Sequence, residues 1–355
     1  MFQRNNISTA LNTQYPILQG PFGGGLSSAK LVAAVSNAGG LGGYGAYQLQ
    51  HEQIVEVVDE IRILTNKPFN INLWVNDADE KANNLSNAEF EKIASLFKPW
   101  FDELNIPLPT KPENINSKFE KQVEVLLALK PAVFSFVFGI PSKEILSECR
   151  RQNIITIGAA TTLDEAFALE EANVDLIVAS GFEAGGHRPS FLKPAEESLH
   201  GTFSLVRQLS TKIKKPIIAA GGITDAQGIK AAFELGASGV QIGTAFLACG
   251  ESGASSEYRN VLFSERAKYT SLTKSFTGRL ARGITGSIAG ELNNYVDVLP
   301  FPLQTTFMSP LRKAAIEQGR MDMLTFWAGQ NTSLLIHKEV NSLMSELIHS
   351  LNILV

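Results

Sequence analysis

One histidine stands among glycines in the run Glu183-Ala184-Gly185-Gly186-His187-Arg188. Glycines remove side chains from the surrounding backbone, so a flat ligand can approach closely. An imidazole with an ordinary pKa of about 6.5 suits proton transfer at neutral pH. His187 is therefore the candidate for acid–base work. A satisfied structural role is the bland alternative, and the glycine setting at the end of a strand weighs against it. Glu183 is read as a hydrogen-bond partner for backbone in its own glycine loop. The other four histidines carry no such setting. His51 falls at a helix start, His200 in a polar loop, and His337 and His349 in a C-terminal amphipathic helix.

A second signal is the run Ile217-Ile218-Ala219-Ala220-Gly221-Gly222-Ile223, an apolar strand entering a double glycine. Gly239-Val240-Gln241-Ile242-Gly243-Thr244 repeats the plan. A strand, a glycine and a small residue opening a helix expose backbone N–H groups that can cradle a phosphate. Either motif alone would equally serve a tight turn between strand and helix. The pair in tandem favours a phosphate. Asn72 ends another strand, where its amide offers a donor and an acceptor to the edge of a heterocycle; the alternative is a turn or capping role. Cys249 reads as a small buried hydrophobe. Cys149 and Cys249 form no CxxC pair, and no paired carboxylate or HxxxH spacing is present, so no metal site is expected.

These groups need a frame. Short apolar runs occur at Tyr15–Gln19, Leu41–Tyr44, Pro68–Leu73, Ala132–Val137, Ile154–Ile157, Asp175–Ala179, Pro216–Ala220 and Gly239–Ile242. They are continuously apolar rather than alternating, the mark of parallel strands buried on both faces. Helical patterns fall between them at Ser28–Asn37, Glu52–Leu64, Ser142–Gln152, Leu163–Ala172 and Ala226–Leu235. Eight strands with helical connectors predict an α/β fold, a TIM (β/α)8 barrel, over an open doubly wound sheet. The two glycine motifs then follow strands seven and eight, where barrels commonly bind phosphate.

Two segments break the rhythm. The stretch 76–118 is proline-rich, which does not suit a continuous helix, and is read as an insertion after strand three. The stretch 251–319 follows strand eight as an extra segment. Its Thr277-Gly278-Arg279-Leu280-Ala281-Arg282-Gly283 run is a lid or a wall of the ligand site. Residues 1–250 and 320–355 would form the barrel. Val340, Leu343, Met344, Leu347, Ile348 and Leu351 make one stripe of a C-terminal helix.

The chain has 355 residues, is 44% hydrophobic and 19% charged, and carries a formal net charge of −4. That composition supports a sizeable core and gives no electrostatic reason to bind nucleic acid. No apolar run reaches the roughly 18 to 20 residues of a membrane span. Met1 to Thr13 lacks the apolar core of a signal peptide. A cytoplasmic protein is expected.

Taken together, the motifs resemble the FMN-dependent nitronate monooxygenases, formerly 2-nitropropane dioxygenases. The resemblance rests on Tyr15 to Phe22, Glu183 to Arg188, Ala219 to Ile223, Gln241 to Thr244, Phe276 to Gly283 and Trp327-Ala328-Gly329-Gln330, in that order. It implies one non-covalent FMN on the C-terminal face of the barrel. Gly222 and the run Gln241, Ile242, Gly243 and Thr244 would hold the phosphate end, with Gly221 in the same motif. Asn72, Ser180 and Gly185 would line the rest of the flavin, and His187 would be the catalytic histidine. The implied reaction is oxidative denitrification of alkyl nitronates with dioxygen to carbonyl compounds and nitrite. The histidine would act as base toward a neutral nitroalkane or bind the anionic nitronate. Propionate 3-nitronate, a natural toxin, is a target by family analogy, and a homodimer is allowed. Ser180 stands where the family usually has Gln, and Pro189 where it commonly has Gly. The first shortens a flavin contact and the second stiffens the loop after His187. An FMN-dependent enoyl-ACP reductase of the same superfamily shares the Glu-Ala-Gly-Gly-His motif and is the competing reading. Arg188 and Phe191 fit the nitronate group better. A phosphate-ligand-binding barrel without flavin chemistry is a third.

Overall fold

The computed structural model describes residues 5–112, 117–292 and 297–353. Eight parallel strands form one sheet: β1 (Ile17–Gln19), β2 (Gly42–Gly45), β3 (Phe69–Trp74), β4 (Val133–Val137), β5 (Ile155–Ala160), β6 (Leu176–Ser180), β7 (Ile217–Ala220) and β8 (Gly239–Ile242). Their spatial order is β1-β8-β7-β6-β5-β4-β3-β2. A parallel bridge between Leu18 and Leu41 brings β1 beside the start of β2. There Leu41 N donates to Ile17 O and Gln19 N to Leu41 O, both at 2.9 Å. The sheet thus curls into the expected TIM barrel.

The burial pattern explains why the strands read as continuously apolar. In β7, Ile218 enters the barrel interior with Leu18, Val133, Ile157 and Val178. Its neighbours Ile217 and Ala219 instead pack into the layer between sheet and helices, with Leu205, Val206 and Ile229. Ile7 and Leu11 of the helix Asn6–Leu11 join the interior cluster, and Ile7 lies against Gly239 at the start of β8. They therefore close the N-terminal end of the barrel. β3 departs from the pattern. Its Ile71 and Leu73 face the helices, while Asn70 and Asn72 alternate to the inside and each brings Nδ2 to Ser135 Oγ, at 2.8 and 2.9 Å.

The outer helices match the predicted ones within a residue or two, and several start on side-chain caps. Ser28 Oγ accepts from Leu31 N at 3.0 Å, and Asp225 Oδ1 from Gly228 N at 2.8 Å. Such caps satisfy backbone donors left open by the helix start. Two further helices, Phe119–Leu129 and Thr202–Lys212, have no counterpart in the pattern above. His337 precedes the C-terminal helix Val340–Ile353 rather than belonging to it. Leu351 lies outside the described side chains. No helix among the described residues is long and apolar enough to cross a membrane.

The stretch after β3 breaks into three short helices, Glu80–Asn84, Asn87–Leu96 and Lys98–Glu103, with Pro99 in the first turn of the last. Their apolar faces share a second hydrophobic core with the segment that follows β8. Phe307 is its hub, with Phe90, Phe97 and Phe101 rings at 5.9, 5.4 and 5.1 Å. The same region builds a small antiparallel sheet over the barrel mouth. Ala281–Ile284 pairs on one edge with Ser271–Thr273. Its other edge carries Phe326–Trp327 and, beside it, Gly186–His187.

Candidate active site

The C-terminal ends of the strands open into a cavity of about 310 Å³. Its walls include backbone at Gly20, Gly23, Gly185, Gly222, Gly243 and Gly329, and its polar side chains include Asn72, Ser180 and Gln241. Among the described residues no Asp or Glu lines it, and Arg312 is the one formal cation on its wall. A cavity with no carboxylate, a guanidinium and many backbone groups favours an anionic ligand.

His187 reaches this cavity from the short strand Gly186–His187, not from the barrel. Its backbone is held opposite Ala281, and Arg188 N donates to Leu280 O at 2.8 Å. The side chain sits among Trp74, Trp327 and Phe138, with ring centroids at 5.0, 5.4 and 6.4 Å. Nε2 lies 2.9 Å from Thr277 Oγ1. Burial among these rings pushes the imidazole pKa down to about 3, with the Arg279 and Arg312 charges adding to the effect. His187 is therefore neutral at physiological pH.

The loop that carries it is fastened on both sides. Arg188 is fully buried, and its Nη1 and Nη2 donate to Gly181 O and Ser180 O at 2.6 and 2.8 Å. It is a brace for the strand end rather than a ligand group. Beyond the histidine, the buried Glu165 accepts from Phe191 N, Leu192 N, Thr161 N and Thr161 Oγ1 at 2.6 to 3.2 Å. Glu183 bonds backbone, but not in its own loop: its carboxylate takes Thr202 N at 2.9 Å and caps the helix Thr202–Lys212.

The strand seven motif turns on Gly221 and Gly222 at φ +113° and +69°, a backbone that L side chains rarely adopt. Gly243 and Thr244 make the strand eight turn, and Thr244 Oγ1 accepts from Gly329 N at 2.9 Å. Gln330 N donates to Glu183 O at 3.0 Å, and Asn331 Nδ2 donates to Gly222 O. The Trp327 to Gln330 motif, with Asn331 directly after it, thus stitches three loops together over one end of the cavity. Gly185 meets it with no room to spare: a Cβ there would lie 2.5 Å from the Ala328 carbonyl carbon and the Gly329 nitrogen.

Asn72, Ser180, Gly185, His187, Gly221, Gly222, Gln241, Gly243 and Thr244 all line this one cavity. Ile242 does not. Its side chain packs in the layer between sheet and helices, and its carbonyl takes Gly20 N at 2.9 Å. Strand alternation explains this, since Gln241 already faces the barrel side. The aromatic wall of Tyr47, Trp74 and Phe138 was not singled out in sequence, nor were Arg312 and Asn331, whereas Thr277 comes from the run expected to form a lid or wall. Tyr47 and Trp74 stack at 3.7 Å between centroids and 5° between planes. Trp74 continues the inward alternation Asn70, Asn72, and that periodicity was the signal available for it.

A parallel (β/α)8 barrel with a ligand cavity at the C-terminal ends of its strands has the layout of a barrel enzyme. The nitronate monooxygenase family model matches residues 4–351, so the chain belongs to that family and is an oxidoreductase. It is 37% identical over 354 residues to a probable nitronate monooxygenase of Staphylococcus aureus, covering 99% of this chain and 98% of that protein. Among solved structures it is similar to a nitroalkane oxidase from Streptomyces ansochromogenes, with TM-score 0.89, 31% identity and 98% of both chains covered. FabK from Thermotoga maritima is similar at TM-score 0.72 and 25% identity, covering 99% of this chain and 97% of that one.

Proposed function

We propose that this protein is an FMN-dependent nitronate monooxygenase that converts alkyl nitronates and dioxygen to carbonyl compounds and nitrite. The observation that carries the reading is a cavity, lined by no carboxylate among the described residues, that holds His187 at one wall and the two glycine turns after β7 and β8 at another. The residues present fit a flavin mononucleotide. The positive-φ turn at Gly221 and Gly222, with Gly243 and Thr244, would receive the phosphate. The amides of Asn72 and Gln241, the Ser180 hydroxyl and the Gly185 backbone would meet the ring system. Bound there, FMN supplies the redox chemistry toward nitronate and dioxygen.

The chain's own residues supply the rest. His187, neutral and desolvated, takes a proton from the α-carbon when a neutral nitroalkane is the substrate. Trp74, Trp327 and Phe138 keep water from the reacting carbon. Arg312, which has no hydrogen-bond or ion-pair partner among the described residues, offers a cation to an acid-bearing nitronate, of which propionate 3-nitronate is the family-based candidate. The absence of a membrane-spanning helix among the described residues agrees with action on small dissolved substrates in the cytoplasm. A homodimer is part of the same proposal.

The test is an anaerobic titration of the purified protein with ethyl nitronate, followed by visible absorption. The reading predicts yellow protein whose spectrum responds to nitronate, and His187→Asn protein that stays yellow but loses most turnover of neutral nitroalkanes. Yellow protein that ignores nitronate and is bleached by NADH in the presence of an enoyl thioester would favour the reductase. Colourless protein that cannot be reconstituted with FMN would overturn the flavin assignment.

A further inference from the structure

We propose that Thr277 is a positioning residue that fixes the tautomer of His187, because its hydroxyl is held between His187 Nε2 and the Arg279 carbonyl; Nδ1 is then the nitrogen that takes the substrate proton.

Thr277 Oγ1 lies 2.9 Å from His187 Nε2 and donates to Arg279 O at 3.1 Å. A threonine hydroxyl has one proton and two lone pairs. With its proton committed to the carbonyl, it can only accept from the imidazole. Nε2 must then carry the hydrogen, and in a neutral ring the lone pair belongs to Nδ1. Among the described residues no hydrogen-bond partner is present at Nδ1.

The commitment of that proton follows from how the Thr277 turn is built. Thr277 is buried, and its backbone N–H and that of Gly278 both bond Lys274 O, at 3.2 and 2.8 Å. The Arg279 side chain anchors the acceptor carbonyl. Its Nε and Nη2 reach Asp79 Oδ1 at 2.9 and 2.7 Å, and its guanidinium lies over the Phe138 and Phe301 rings at 4.3 and 4.4 Å. Asp79 is in turn tied to Phe301: its N–H donates to Phe301 O at 2.8 Å and its carboxylate accepts from Phe301 N at 3.0 Å. The carbonyl therefore cannot swing away and free the hydroxyl.

The consequence divides two roles that a histidine can play. A bare Nδ1 suits a base: the α-carbon proton moves to Nδ1, the C–H electron pair moves into the nitro group, and Nε2–H stays on Thr277. The same bare nitrogen repels a nitronate oxygen, so nitronate anions do not gain a hydrogen bond from neutral His187. The kinetic part of this inference rests on the proposed nitro chemistry; the tautomer does not.

Nitrogen NMR of the yellow protein labelled with ¹⁵N-histidine, assigned with His187→Gln, reads the tautomer directly. Wild type is expected to show a protonated Nε2 and a bare Nδ1. Thr277→Val, which removes the hydroxyl at constant shape, should release the preference and lower kcat for a neutral nitroalkane about tenfold, the scale of one hydrogen bond. The loss with the neutral nitroalkane should exceed any change with ethyl nitronate about fivefold or more, and Thr277→Ser should restore the wild-type values. A wild-type spectrum with Nδ1 protonated overturns the proposal even if the valine variant fails to fold. So does an unchanged tautomer and rate in Thr277→Val. Loss of all nitro turnover in wild type would sink the functional reading and leave the tautomer to the spectrum.

Discussion

Acidification should destabilise this protein through His187, and substitution of that residue should remove the effect. The imidazole has an ordinary value of 6.5 in the unfolded chain and about 3 in the folded one, first because it is buried and then because Arg279 and Arg312 repel a further positive charge. Between these values the unfolded chain binds a proton that the native protein refuses, so stability falls as pH falls through 6.5 toward 3. At pH 5 the unfolded imidazole is almost wholly protonated and the native one almost wholly neutral. The difference in proton binding amounts to about 2 kcal/mol relative to pH 8. Urea unfolding of wild type and His187→Gln at both pH values isolates it, because the other titrating groups are common to the two proteins. The wild type should lose about 2 kcal/mol more than the variant. Equal losses, within about 0.5 kcal/mol, would mean that the site is wet enough to protonate and that burial does not hold the base neutral.

Other consequences are as direct. Gly185→Ala should abolish retention of the yellow cofactor through gel filtration, since its Cβ would meet Ala328 and Gly329 backbone at 2.5 Å and push the stitching segment off the cavity. Glu165→Ala strips an acceptor from four donors and should cost about 3 kcal/mol in urea unfolding, each buried orphan counting about 1 to 3. Arg312→Gln should raise KM for propionate 3-nitronate about tenfold and leave ethyl nitronate within about twofold, since only the former brings a second anion; equal shifts would remove Arg312 from specificity.

The barrel was legible because its strands are apolar on both faces: Ile217, Ile218, Ala219 and Ala220 read as one run, and the structure shows the two cores that divide them. The cavity residues on strand ends were legible for the same reason, since a residue at the end of a barrel strand has nowhere else to point. Ile242 shows the limit. A motif names consecutive residues, whereas a strand sends alternate ones to opposite sides. The helices Phe119–Leu129 and Thr202–Lys212 escaped because one follows a proline-rich stretch and the other begins at a carboxylate 19 residues away. Thr277, Arg279 and Arg312 reach His187 only through packing between distant segments, and no local period encodes such a meeting.

The strand Ala281–Ile284 holds Phe326–Trp327 and Gly186–His187 side by side on a single edge. The reacting imidazole is thus registered against a roof, while the proposed phosphate cradle is registered against the barrel. Anyone transplanting this chemistry to another (β/α)8 scaffold must carry over the roof ribbon as one cassette with its Asp79 tether. Grafting the glycine motif and its histidine alone would deliver the right residues with nothing to aim them.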